Sequence, residues 1–478
     1  LFVDGRRQSL AHEREHNNLW RGECLALRGS RTAFLLTLTR DDQRFAIQST
    51  EQARAQNVSE PHAGSSVVDL NACVKPSHQH ALLIISNDVA LLLICNHYEF
   101  RQMQFWKYSM TLEDKIAAAN GRPTGFDYLR LALALSVVAV HIFQTGLGDE
   151  AASAYLTPVV RPLVACILPM FFALSGFLVA GSLVRTQTLP EFFALRIIRL
   201  APALIAEVVL SAFVIGALFT ALPLSEYFSH PKFWAYLLNI IGYIHFTLPG
   251  VFLDNPRPNM VNQQLWTIPW ELDCYIVLGA LAFAGLKKSR TLLIVAIVAA
   301  HLFAMYWYSV HEAKSPLTAK AAVLPISFLV GVLFYFYASK IKWSFALFGI
   351  ALAVSYFLLR LPNGDLVVAV PLTYVTVFLG VANPARNKVM LSGDYSYGIY
   401  LYGFPLQQAF AHLWPGLNLG SAAAVVATVC FAAFSWWCVE RPALGARKLL
   451  KKIKWPARLR LSAPDRTVME IEDAAVRK

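Results

Sequence analysis

From Phe126 onward, apolar residues come in long blocks separated by short polar connections. Blocks of this length predict bilayer-crossing helices, since a span takes about 20 apolar residues. Ten can be marked: 126–146, 159–184, 200–222, 265–286, 291–308, 321–338, 343–360, 365–382, 396–414 and 418–438. A further piece, 234–247, is only about two-thirds of a span. Residues 1–60 differ, with seventeen charged residues and little sustained helical or strand periodicity. The run from Ala81 to Cys95 is apolar but short, and Asn87 and Asp88 interrupt it.

Loop charge decides the threading. Arg122 precedes the first block, and Arg185, Arg196 and Arg199 follow or open the next ones. Lys287, Lys288, Arg290, Lys340, Lys342, Arg386 and Lys388 fall in later connections, and Arg441, Arg447, Lys448, Lys451 and Lys452 follow the last block. If 234–247 does not cross, every cluster is cytoplasmic, as the positive-inside tendency requires; if it crosses, the later clusters flip outward. The expectation is an all-α polytopic membrane protein with about ten transmembrane helices. The piece 234–247 is then a short re-entrant or interfacial segment, and both termini are cytoplasmic. Irregular backbone at membrane depth survives only inside protein or beside water, so a re-entrant piece points to a cavity.

Composition agrees. Of 478 residues, 56% are hydrophobic and 15% charged, against roughly 45–50% and roughly 25% in soluble domains. Mean hydropathy is +0.47. These figures exclude disorder, collagen and a small disulfide scaffold. The net charge of +12 is spent on loops, and no nucleic-acid-binding motif accompanies it. Seven cysteines, an odd number without a CxxC pair, speak against a disulfide framework or a zinc site. Most sit in apolar runs and read as small buried hydrophobes.

Three regions follow. Residues 1–109 read as an N-terminal extension, a start-site artefact or a poorly ordered segment, with Met110 as the natural start. An N-terminal mass from the native host tests this, and a peptide from within 1–100 would overturn it. Residues 110–445 form the membrane domain. Residues 446–478 are a basic cytoplasmic tail, and the basic stretch from Arg441 to Arg460 lies along the anionic inner leaflet.

Within the first block, Arg130 and His141 stand eleven residues apart. Eleven steps of about 100° come to three turns plus about 20°, so both share a helix face, about 16.5 Å apart along the axis. Ionisable residues inside a span are functional candidates by default. This spacing suits an extended ligand with a phosphate at Arg130 and its reactive end at His141. The other reading makes Arg130 a snorkelling anchor and His141 an interhelical hydrogen-bond partner. Arg196 and Arg199, one turn apart, form a double positive point that fits phosphate, or topology charge alone.

Five places carry a family resemblance: Arg130 with His141; Phe171-Phe172-Ala173-Leu174-Ser175-Gly176-Phe177-Leu178; Phe193-Ala194-Leu195-Arg196-Ile197-Ile198-Arg199-Leu200-Ala201-Pro202; Leu265-Trp266-Thr267-Ile268-Pro269-Trp270-Glu271; and Ser396 to Tyr402 with Pro405. Val439-Glu440-Arg441-Pro442 closes the last block. In this ordered set, over about 115–445, the chain resembles acyltransferase family 3, the integral membrane O-acyltransferases acting on glycans. One departure is Gly403, where many relatives carry His, and no role is assigned there. The resemblance implies ten spans, a cytoplasmic acyl-CoA donor with acetyl-CoA favoured, and transfer to a hydroxyl, usually on a glycan. It implies a single-domain member without a C-terminal esterase-like domain, in a bacterial inner membrane.

The residues then take roles. His141 is the candidate base, since imidazole titrates near neutrality. Direct attack and a covalent acyl-His intermediate both remain open. Glu271 orients His141 or the acceptor hydroxyl, or else is an interfacial carboxylate with a basic partner. Arg130, Arg196 and Arg199 neutralise the donor. Trp266 and Trp270 stack on a sugar or form an aromatic belt. Glu207 is expected to pair inside the bundle, and Ser175 reads as helix packing rather than a nucleophile. No metal is implied. The partners are a glycan or lipid-linked saccharide acceptor and the bilayer, with a homo-oligomer left open. The rival reading is an exporter of saccharide or lipid precursors without chemistry, against which stands the lack of a repeat between halves. An acyltransferase of amines or small metabolites, and a scaffold, are the remaining alternatives.

Overall fold

The computed structural model describes residues 110–286, 288–311, 320–387, 390–450, 453 and 461, together with five strands between residues 25 and 96. The chain divides into two units, Leu1–Lys107 and Tyr108–Lys478.

In the first unit, β1 (Leu25–Arg28), β2 (Ala33–Leu38) and β3 (Phe45–Gln48) pair antiparallel in that order. β4 (His80–Ile85) and β5 (Leu91–Asn96) pair as a second antiparallel ladder, Ala81 facing Cys95. Strands within 1–60 were not expected. Four- to six-residue strands give periodicity too little length to register, and cross-strand pairing stabilises them instead. The interrupted run 81–95 becomes β4 and β5, with Asn87 and Asp88 between them.

The second unit is helical. Its ten principal helices are α1 (Gly125–Leu147), α2 (Arg161–Arg185), α3 (Leu189–Phe219), α4 (Gln263–Phe283), α5 (Thr291–Val310), α6 (Val323–Phe336), α7 (Phe345–Arg360), α8 (Ala369–Gly380), α9 (Ser396–Leu413) and α10 (Leu419–Gly445). They fall on the ten apolar blocks. Six of them, α1 to α5 and α10, are long and apolar enough to cross a membrane, and α6, α7 and α8 are shorter apolar helices. This is a multi-span membrane protein.

Local chemistry sets the boundaries. At the start of α3, Thr188 Oγ1 accepts from Glu191 N at 3.4 Å, and Glu191 Oε2 accepts from Gln187 N at 3.1 Å. Thr-Leu-Pro-Glu thus places a cap, a first-turn proline and an acid where orphan N–H groups need them. Asn418 caps α10 by accepting from Gly420 N at 2.8 Å. Pro202 and Pro405 lie inside α3 and α9. Wide π turns interrupt α3 at Leu210–Ile215 and α10 at Trp436–Glu440.

At the centre, α2 and α6 touch backbone to backbone. A Cβ on Gly176 would lie 2.0 Å from Phe328 O, and one on Gly331 would lie 2.1 Å from Ala173 O. Only glycine allows this approach, the small-residue packing that membrane helices use without a hydrophobic drive between them. The close packing expected at Ser175 falls on its neighbour Gly176, and Ser175 itself lines the cavity described below.

The piece 234–247 does not form a span. A short helix, Pro231–Tyr236, runs into a 3-10 turn, Leu237–Ile241, and irregular backbone follows to residue 262. Side chains satisfy much of that backbone. Gln408 Nε2 donates to Arg257 O at 2.8 Å and to Met260 O at 2.6 Å. Asn255 Nδ2 donates to Gln408 O at 2.9 Å, and Asn239 exchanges two bonds with the His245 backbone. Non-helical backbone inside a membrane bundle needs partners of this kind. Glu207 is fully buried and accepts from Ser211 Oγ at 2.7 Å and Asn262 Nδ2 at 2.9 Å. Its partners are neutral donors that tie α3 to the end of this loop.

The cysteine expectation needs correction. Cys274 is buried, Cys166 is half-buried, and Cys430 and Cys438 are exposed on α10; all four are free thiols. In a bilayer an apolar run does not imply burial within protein, because lipid solvates the outer face. Cys24, Cys73, Lys451 and Lys452 lie outside the described residues.

Candidate active site

Helices α1, α2, α3, α4 and α9 enclose a cavity of about 160 Å³. Each contributes residues at helical spacing. Arg130 comes from α1, and Phe171, Ser175 and Leu178 come from α2 at steps of four and three. Arg196, Arg199 and Leu200 come from α3; Thr267, Glu271 and Tyr275 come from α4 in two steps of four; Ser396, Tyr397 and Tyr400 come from α9. Such steps return to one face. The wall is apolar on the α2 side and polar where α3, α4 and α9 meet.

The arginines are held by carboxylates the sequence did not single out. Arg130 Nη1 donates to Asp394 Oδ2 at 2.8 Å, and Arg199 Nη2 donates to the same oxygen at 2.6 Å. Arg199 Nη1 also donates to Glu440 Oε2 at 3.0 Å, and Ser396 Oγ donates to Asp394 Oδ1 at 2.7 Å. Burial raises the Asp394 carboxyl, but Arg199 and Arg130 pull it further the other way, leaving it well below the usual carboxylate range. Glu440 is 2% exposed and pairs with Arg199 inside the bundle.

Asp394 reaches Arg130 because its loop is fastened to the first turns of α1. Gly125 N donates to Ala382 O at 2.9 Å, Thr124 Oγ1 to Pro384 O at 2.6 Å, and Tyr128 Oη to Ala385 O at 2.9 Å. A Cβ on Gly125 would lie 2.4 Å from Ala382 O. The start of α1 thus needs glycine for that contact.

Glu271 accepts a hydrogen bond from Tyr275 Oη one turn along α4. The Arg199, Arg196 and Arg130 charges all act on its carboxylate. Arg196 Nη2 donates to Ser182 Oγ at 3.0 Å, while its Nε–H is buried without an acceptor. Tyr400 Oη donates to Gln264 O at 2.7 Å and lies 2.6 Å from Thr267 Oγ1, joining α9 to α4.

The structure thus brings Arg130, Arg196, Arg199 and Glu271 to one cavity. The other three candidates stand elsewhere. His141 is half-buried on α1 and packs edge-on against Phe404 at 5.1 Å. Arg257, in the irregular loop, lies near enough to act on its charge. Trp266 and Trp270 are half-buried and pack against the main core cluster. They precede Thr267 and Glu271 by one residue, about 100° around the helix, so their neighbours face the cavity instead. A Cβ on Gly403 would lie 2.9 Å from Val138 Cγ2 on α1.

Sequence reasoning missed Asp394, Glu440 and Tyr275. The one signal for Asp394 was a carboxylate two residues before the Ser396 motif. The signal for Glu440 was its place in the Val-Glu-Arg-Pro closure of the last block. Tyr397 and Tyr400 line this cavity, Tyr395 lines a neighbouring one, and Tyr402 Oη donates to Ser435 Oγ at 3.2 Å.

Residues 124–440 match the acyltransferase domain that defines acyltransferase family 3, and the chain belongs to that family. It is similar to an "O-acetyl transferase" of Shigella phage Sf6, 25% identical over 347 residues, which cover 66% of this chain and 94% of the relative. It is also similar to "Nodulation protein 10" of Rhizobium leguminosarum bv. viciae, 29% identical over 363 residues, covering 70% and 96% respectively. No solved structure matches. The protein is a membrane O-acyltransferase, and the exporter reading is set aside.

Proposed function

We propose that this O-acyltransferase moves an acetyl group from acetyl-CoA to a hydroxyl of a cell-surface saccharide or its lipid-linked precursor. It works in a bacterial inner membrane, with the helical bundle beginning and ending at the cytoplasmic face. The membrane domain is taken as 110–445. The observation that carries the donor is the convergence of Arg130, Arg196 and Arg199 on one cavity, because guanidinium forks bind phosphate oxygens bidentately. The loop clusters and the Arg130 end of α1 fall on the same side of the bundle in the threading that keeps basic loops cytoplasmic. The name of the phage relative, an O-acetyl transferase, supports acetyl.

In the reaction the acceptor oxygen attacks the thioester carbonyl carbon and the carbon–sulfur bond breaks. The acceptor proton passes to a base and then to the departing thiolate. Two groups are available as base. Glu271 lies at the cavity, aligned by Tyr275. His141 lies three turns along α1 from Arg130, toward the irregular loop, where an acceptor arriving from the opposite side would meet it. Trp266 and Trp270 serve the acceptor in this reading.

The experiment is acyl transfer in membranes, with radiolabelled acetyl-CoA and a glycan extract, for wild type, His141→Ala and Arg130→Ala. Label that appears with wild type and vanishes in both variants supports donor and roles together. Label surviving His141→Ala assigns the base to Glu271. Absence of label, donor hydrolysis and CoA binding would overturn the acetyl-CoA reading.

A further inference from the structure

A second cavity, of about 200 Å³, adjoins the first and is lined by Asp127, Arg386, Asp394, Tyr395, Ser396 and Trp436 among others. The two cavities share Ser396. Arg130 lines the inner one and Asp394 the outer one, so their ion pair forms the partition. The outer cavity lies where the start of α1 meets the loop before α9, which is the end that carries Arg386.

Its chemistry differs from that of the inner cavity. Arg386 is exposed and spends Nη2 on Leu391 O at 2.8 Å, leaving the rest of its fork to a ligand. Trp436 Nε1 is a buried donor without an acceptor, an unusual state for an indole N–H. The indole lies flush on the loop because residue 393 is glycine. A Cβ there would be 2.4 Å from Trp436 Cδ1 and Nε1. Tyr395 meets the same indole edge-on at 6.5 Å. The outer cavity thus combines aromatic surface, two carboxylate acceptors and a guanidinium. Those are the groups that recognise a purine ring, ribose hydroxyls and a phosphate.

The size of the donor completes the argument, and this step rests on the acyl-CoA reading above. Coenzyme A has a thin pantetheine arm and a bulky phosphorylated adenosine joined by a diphosphate. An inner cavity of about 160 Å³ is smaller than the whole donor and has no room for the nucleotide beside the arm. With the diphosphate at Arg130 and Arg199, the nucleotide must lie beyond the partition.

We infer that the outer cavity is the binding subsite for the nucleotide end of the donor, with Arg386 and Trp436 as its principal contacts. The subsite supplies remote binding energy that a shortened donor cannot draw on.

The test compares two donors on the full chain in membranes: acetyl-CoA and S-acetyl-4′-phosphopantetheine, which lacks the nucleotide. The reading is the ratio of kcat/KM for the two, in which the fraction of folded protein cancels. Wild type is expected to prefer acetyl-CoA by about tenfold or more, and Arg386→Ala and Trp436→Ala to lose most of that preference, each tenfold being about 1.4 kcal/mol. Trp436→Phe, which keeps the aromatic surface, should retain more of it. A wild-type ratio near one, or variant ratios equal to wild type, would overturn the subsite while leaving acyl transfer standing. Transfer from neither thioester would overturn the acyl-CoA reading and the subsite with it.

Discussion

Arg130 on α1 and Arg199 on α3 donate to one and the same oxygen, Oδ2 of Asp394, at 2.8 and 2.6 Å. Two like charges are held side by side by a single carboxylate contributed by a loop. In the proposed reading the donor's phosphates would meet guanidiniums already aimed, and preorganisation of this kind spares the cost of collecting them at binding.

Removing that carboxylate should therefore spread the two arginines. Asp394→Asn keeps size and loses charge. Its kcat/KM for the acyl donor is expected to fall by about ten- to hundredfold, carried mainly by KM, since charge-assisted bonds contribute roughly twice as much as neutral ones. Steady-state kinetics in membranes checks it. A fall carried wholly by kcat would assign Asp394 to chemistry rather than to positioning.

The same residue carries an acid dependence of stability. Its native carboxyl lies below the value of about 3.9 expected in the unfolded chain. The stabilisation is thus fully present above about pH 5, and it is lost as pH falls through the lowered native value. Thermal unfolding in detergent from about pH 3 to about pH 7 should show this loss at the acid end. Asp394→Asn should flatten that acid limb, and an unchanged limb in the variant would assign it to other groups.

Tyr275→Phe removes the O–H that Glu271 accepts while keeping the ring. A lost hydrogen bond to a charged group costs about 1.5–3 kcal/mol, so kcat is expected to drop roughly ten- to hundredfold with donor KM little moved. Unchanged kcat would remove Glu271 from the proton path.

Glu440→Ala leaves Arg199 with one carboxylate in place of two. Stripping a partner from a buried charge is destabilising by about 3–5 kcal/mol. The variant should show a clearly lower detergent melting temperature, and Glu440→Gln a smaller loss. Equal melting temperatures would mean that Asp394 alone neutralises Arg199.

Gly331→Leu tests the α2–α6 contact. Even a Cβ would stand 2.1 Å from Ala173 O, and overpacking typically costs about 1–3 kcal/mol or more. The protein is expected to elute as aggregate on size exclusion, whereas Gly349→Leu, with nothing within 4 Å, should elute as wild type.

What was legible in the sequence was whatever has length or period. Ten apolar blocks became ten helices because twenty-residue patterns outlast local accidents. That 234–247 forms no span was legible from its length together with loop charge. Arg196 and Arg199 were visible as one turn, and Glu271 through its motif. Asp394 was not, because a loop carboxylate has no period and its partners lie 195 and 264 residues away. Tyr275 reads as another aromatic on an apolar helix. His141 shares a helix face with Arg130, but a face says nothing about depth. Three turns on, the same face meets Phe404 rather than the cavity.

The wide turn at Trp436–Glu440 bears on how the last helix is to be compared with others. A π turn holds more residues than an α turn, so the winding after it is out of phase with the winding before. A helical wheel drawn through α10 as one cylinder misorients one end or the other. Glu440, the last residue of this turn, is buried. Two relatives sharing every letter of the Val-Glu-Arg-Pro closure would still present the acid differently if only one of them carries the enlarged turn.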